Sequence, residues 1–193
     1  MYSRKVRAFV SQRIVFNDSV QPAIVIVNND KIHKIIKSSG SNELKTLEKN
    51  YPGIVIEDFG SLVIMPGIVD SHVHVNEPGR TEWEGFNTAT KAAAAGGVTT
   101  IADMPLNSIP PTTGVENLKT KAKEAHGKIY VDVAFWGGVI PGNQNELRPL
   151  IDAGVVGFKC FLCPSGVDEF PYVNANDVHD ALTVLKSTGS VLA

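Results

Sequence analysis

Little in this sequence marks a secreted, membrane-spanning or nucleic-acid-binding chain. Cysteine occurs twice in 193 residues, as Cys160 and Cys163. One C-x-x-C pair is too little for a structural zinc site and does not sit in a thioredoxin-like start, so both read as reduced thiols in a reducing compartment. No apolar run approaches the ~20 residues of a membrane span. The start, Met1 to Lys5, is basic, but no apolar stretch follows it, which argues against a secretory signal. An excess of one charge is missing as well. A net charge of -2 and a pI near 6.2 leave no basic stripe, so nucleic acid is not an expected partner. What is present, 43% hydrophobic and 20% charged residues, is the balance of a soluble globular chain with enough apolar material for a core.

The first part is strand-rich. Residues 6–10, 13–16, 23–27 and 31–36 read as strands, with Asn17-Asp18 and Asn28-Asn29-Asp30 as turns between them. They predict a small antiparallel sheet with His33 on its surface. Residues 38–50 are polar, a loop or short helix, and 54–56 read as one more strand. From Leu62 the pattern changes to strand, loop, helix, repeated. Strands are expected over 62–73, 98–103, 129–136 and 155–161, and helices over 83–95, 113–127, 148–153 and 176–185. Thr81-x-x-Glu84 and Thr113-x-x-Glu116 read as capping boxes. Pro149 suits a first helical turn. Val178, Ala181, Leu182 and Leu185 share one helical face. A last strand begins at Ser190. The expected division is 1–61, the strands of a small sandwich, and 62–193, a β/α part. Strands alternating with helices imply a buried parallel sheet, and one polar reactive group per strand end fits a (β/α)8 barrel better than an open doubly wound sheet. Such a barrel needs ~250 residues, so about half of one is expected here.

The polar residues at the strand ends carry the chemistry. His72 and His74, spaced i, i+2, share one face of a strand, and two neutral imidazoles on one face suit a metal ion. That strand is expected to be buried, which would leave both rings needing partners. Asp103 and Asn107 follow the next strand, Gly137-Gly138 the third. Lys159 lies in Gly157-Phe158-Lys159-Cys160-Phe161, where a lysine must pair, snorkel or lose its charge. A neutral amine there can take up carbon dioxide as a bridging carbamate; a snorkelling side chain is the simpler alternative.

Pro66-Gly67-Ile68-Val69-Asp70-Ser71-His72-Val73-His74, Asn76-Glu77-Pro78-Gly79-Arg80, Gly96-Gly97-Val98-Thr99-Thr100, Asp103-Met104-Pro105-Leu106-Asn107 and the segment around Lys159 together resemble the cyclic amidohydrolases of the amidohydrolase superfamily, and among these the allantoinases. The resemblance implies a metal-dependent (β/α)8 barrel beside a small β-sandwich built from both chain ends. It implies two divalent metal ions, zinc foremost, with His72 and His74 on one of them and carboxylated Lys159 bridging both. Asn76, Arg80 and Asn107 fall where substrate contacts are expected. The reaction implied is hydrolytic opening of allantoin to allantoate in purine degradation, in a homotetramer, cytoplasmic here and peroxisomal or mitochondrial in some relatives. Two further histidines and an aspartate that serves as ligand and general base belong to the family pattern. His126 and His179 lie in expected helices and cannot replace them, so no catalytic base is expected before Ala193. The chain is expected to be a fragment or truncated form, inactive alone. The alternatives are a hydantoinase or dihydropyrimidinase-like amidase, or a non-catalytic assembly module of the same fold.

Overall fold

The computed structural model describes residues 6–193, so the basic stretch from Met1 to Lys5 lies outside the described residues. Two compact units divide between Pro66 and Gly67.

In the first unit, β1 (Arg7–Phe16), β2 (Ser19–Asn28) and β3 (Lys31–Ile36) form an antiparallel meander. The expected strands 6–10 and 13–16 are one strand, interrupted by a register shift between Ser11 and Ile14. Buried Ser11 explains the continuity: its hydroxyl accepts from the Arg13 N–H at 2.9 Å and donates to the Leu62 carbonyl at 2.6 Å, satisfying groups the bulge leaves out of the ladder. After the helix α1 (Ser41–Asn50), β4 (Val55–Asp58) and β5 (Val63–Ile64) both pair with β1 in parallel, so the sheet is mixed, not antiparallel throughout. Leu47 of α1 packs on Ala8, Val10, Ile24 and Ile26, the alternate residues of one sheet face. His33 is exposed, as expected.

The second unit runs β6 (Ile68–Val73), α2 (Phe86–Ala95), β7 (Val98–Asp103), α3 (Val115–Ala125), β8 (Asp132–Phe135), β9 (Gly137–Gly138), α4 (Gln144–Asp152), β10 (Phe158–Lys159) and α5 (Ala175–Leu185). β6, β7 and β8 are parallel neighbours in chain order. β9 continues β8 alongside β10, and Phe158 bridges in parallel to Leu192, where the next strand was expected. Strand order thus follows chain order with a helix in each crossover, the construction of the first half of a (β/α)8 barrel. Leu118, Leu147, Leu150, Phe158, Ala181 and Leu185 form one core cluster of these strands and helices.

Several expected elements shift, for local reasons. The run 62–73 is two strands, β5 and β6, because Pro66-Gly67 breaks it; a Cβ at Gly67 would stand 2.1 Å from the Thr99 side chain. The strand expected over 155–161 is short, with only Phe158 and Lys159 in the ladder. Neither expected capping box forms. α2 begins at Gly85, where the Glu77 carboxylate accepts from the Phe86 N–H at 2.9 Å, and α3 begins at Gly114, with Glu146 near the Val115 N–H at 3.4 Å. Carboxylates distant in sequence satisfy the exposed helix N-termini. α4 starts four residues before the expected position, which leaves Pro149 inside it. Leu182 is 51% exposed, and Val184 packs on the core beside Val178 instead. No helix among the described residues is long and apolar enough to cross a membrane.

Candidate metal centre

The histidine pair closes β6. The two rings lie 5.3 Å apart between centroids at 49°. The strand is not buried as expected: Ile68 is 52% and Val69 64% exposed, His72 is exposed and His74 half-buried, because among the described residues β6 pairs with β7 alone. His72 therefore meets water, and only His74 acquires the partner that buried rings need. Its Nδ1 lies 3.4 Å from the Asn107 amide nitrogen. Burial first, then the neighbouring His72, Lys121 and Lys159, holds the His74 imidazole below its ordinary 6.5, so the neutral, ligand-competent form is favoured.

The residue after His74 is pinned from the next strand. Asp103, at the end of β7, accepts the Val75 N–H through Oδ1 at 2.7 Å, while its Oδ2 lies 2.5 Å from the Lys121 ammonium. Both side chains are inaccessible, at 1% and 0% exposure, and Lys121 also donates to the Met104 carbonyl at 3.2 Å. Burial pushes the Asp103 carboxyl up to about 6, against the pull of Lys121. Lys121 was not singled out from sequence. With Leu118 and Ala125 it shares the buried stripe of α3, where a cation requires a partner, but Lys119 and Lys123 beside it leave the sequence no mark of which lysine turns inward.

Lys159 ends β10, half-buried, with its Nζ 5.1 Å from the centre of the Phe161 ring. No carboxylate pairs with it among the described residues. Gly137 and Gly138 owe their residue type to packing: a Cβ on them would meet Phe158 at 2.7 Å and Phe170 at 2.4 Å.

Two loops border the histidines. In the first, Asn76 is buried and its Oδ1 has no hydrogen-bond partner among the described residues. Arg80 donates to the Asn107 carbonyl at 2.7 Å, pairs with Glu169, and places its guanidinium carbon 4.9 Å from the Trp83 ring centre. In the second, Asn107 takes φ of 73°, a left-handed conformation that asparagine tolerates. Glu169, on the long loop after β10, was missed because nothing in that loop's sequence signals a partner.

Among the described residues no group of three or more His, Cys, Asp and Glu side chains comes together. Two imidazoles and a nearby amine are what this chain offers. They fit two nitrogen ligands of one ion and an amine able to become a carbamate, without completing a coordination sphere. His126 and His179 are exposed at α3's end and on α5, and both cysteines are free thiols.

The Amidohydrolase family pattern matches residues 63–182. The mitochondrial allantoinase of Aquarana catesbeiana is 51% identical over 188 residues, covering 97% of this chain and 37% of that protein. The allantoinase of Streptomyces avermitilis is 49% identical over 182 residues, 94% of this chain and 39% of that protein. Among solved structures, the L-hydantoinase (dihydropyrimidinase) of Arthrobacter aurescens superposes with a TM-score of 0.79 at 29% identity, over 98% of this chain and 40% of that one. The chain thus spans well under half the length of the relatives it matches, and within that span it belongs to the amidohydrolase family.

Proposed function

We propose that this chain is the N-terminal part of a metal-dependent cyclic amidase that opens the allantoin ring to allantoate. The observation that carries the proposal is the paired histidine rings at the end of β6, with Asn107 at one of them. Identity of 51% and 49% to two allantoinases supports the choice of substrate.

In this reading His72 and His74 would hold one divalent ion, and Lys159 as its carbamate would supply anionic oxygen ligands. Bound metal, zinc by the resemblance, would supply an acidified water and stabilisation of the oxyanion. The chain's own residues prepare that chemistry. Burial, the largest cause of its lowered pKa, favours the neutral form of His74. Asn107 fixes its ring, and Asp103 fixes the backbone after it. On the loops after β6 and β7, Asn76 and Asn107 are assigned to the substrate, and Arg80 supports them by holding the Asn107 carbonyl. The remaining ligands and the general base come from outside these residues.

The test uses a chain with the complete barrel. His72→Ala or His74→Ala should lower metal content per subunit by elemental analysis and abolish allantoate release. Unchanged stoichiometry in both variants overturns the ligand assignment. The hydantoinase alternative is favoured by the Arthrobacter superposition. It wins if hydantoin or dihydrouracil is hydrolysed faster than allantoin.

A further inference from the structure

The Arg80 guanidinium is held by protein through one nitrogen, Nη1. It lies between Glu169 and the Asn107 carbonyl, with the Trp83 ring 4.9 Å away, and its side chain is only 18% exposed. These partners come from three different βα loops, those following β6, β7 and β10.

Each loop is independently brought to this point. The first two are joined by the Ile109 N–H, which donates to the Pro78 carbonyl at 2.8 Å. Gly79, at φ 93°, allows the approach, since a Cβ there would stand 2.6 Å from Ile109 Cβ. The third is anchored beside Glu169 by Phe170, which is inaccessible and packs with Met104 and Leu106 of the second loop. The common product of these contacts is the position of Asn107. Its carbonyl is held by Arg80, its backbone is in the left-handed region, and its amide lies against His74 Nδ1.

We propose that Arg80 and Glu169 form a latch across three loops that holds Asn107 against His74, so that Arg80 serves as a positioning residue for the histidine and reaches the substrate only through Asn107. A histidine that binds metal through Nε2 would carry its proton on Nδ1, which needs an acceptor; the Asn107 amide nitrogen is the atom placed there, and exchanging the amide's nitrogen and oxygen by a half-turn would supply one. Partners that orient a ligating imidazole are worth roughly 10–100-fold in metal affinity. The part of the proposal that concerns metal rests on His74 being a ligand; the latch itself does not.

The experiment therefore has two readouts on the complete chain: hydrogen–deuterium exchange of the loop 104–113 without metal, and zinc affinity by chelator competition. Arg80→Gln and Glu169→Gln should each speed exchange in that loop. Each should weaken zinc by about 10-fold. Neither should weaken it further when combined with Asn107→Ala, since all three act on one contact. Glu169→Gln is the decisive variant, because it removes only the carboxylate's charge and leaves the side chain's volume. If it leaves both readouts unchanged while Arg80→Gln raises only the KM for allantoin, Arg80 is a substrate contact and the latch is overturned. If exchange rises but the unaltered protein binds no zinc, the latch stands and the metal reading of His74 fails.

Discussion

Two strand ends in the second unit carry or receive a lysine, and they treat it in opposite ways. At the end of β7, Lys121 reaches in from α3, is wholly buried, and is matched by Asp103 at 2.5 Å and the Met104 carbonyl at 3.2 Å. At the end of β10, Lys159 is half-buried, with its Nζ 5.1 Å from the centre of the Phe161 ring. The first site is complete within this chain: donor, acceptor and charge close on each other, and the product is a fixed backbone at Val75. The second is chemically open, an amine with no anionic partner among the described residues. Among the described residues, then, one lysine has a counter-ion and the other has none.

The largest effect is expected from breaking the closed site. Lys121→Met strands a buried carboxylate, and removing one member of a buried pair costs about 3–5 kcal/mol. Asp103→Asn added to it keeps an acceptor for the Val75 N–H without the charge, so the double variant should recover most of that loss. Urea denaturation compares the three proteins. The contrast with the open site fails if Lys159→Met costs as much, since an unpaired, half-exposed lysine is expected to cost under about 1 kcal/mol.

Activity should invert that ranking. Lys159→Ala in the complete barrel should retain its fold and lose allantoin hydrolysis by more than the roughly 10–100-fold that outer partners of a metal cost. Short carboxylic acids supplied with metal should restore part of it by occupying the vacated space. Lys159→Arg should not respond, because a guanidinium fills the site and stays charged. Full activity of Lys159→Ala without added acid removes the carbamate from the reading.

The same contrast explains what was legible in the sequence. Lys159 stood out because it interrupts an apolar strand whose period is short and local. His72 and His74 were legible for the same reason, as was the alternation of strands and helices. Lys121 was hidden by company: α3 also carries exposed Lys119 and Lys123, and only the packing of the helix decides which lysine faces inward. The false capping boxes failed because Glu77 and Glu146 reach α2 and α3 from elsewhere in the chain. At α5 the cap is local and real, Asn174 accepting from the Asn176 and Asp177 N–H groups while Asp177 accepts from that of Asn174. Glu169 lay furthest from view, its partner being 89 positions away on another loop.

The smallest effect expected is on pH, and its sign separates the two carboxylates. The hydrogen bond from Arg80 is the chief cause that holds the Glu169 carboxyl below its ordinary 4.5, burial opposing it and the Arg80 charge adding least. The folded protein then binds fewer protons than the unfolded chain as acid is added, so this contribution is whole above about 4.5 and is lost as pH falls through the lowered value. Asp103 works the other way. Raised from 3.8 to about 6, it is protonated in the fold where the unfolded chain has already ionised, so its contribution declines as pH rises across that interval. Thermal midpoints from pH 3 to 8 for the unaltered protein and Glu169→Gln isolate the first effect. The gap between them should be level from neutral pH down to about 5 and close below it, and a gap that widens in acid would mean that Glu169 is not held ionised by Arg80. Because the pair is partly exposed, added salt should narrow the gap at neutral pH, whereas the buried Lys121–Asp103 pair should respond little to salt.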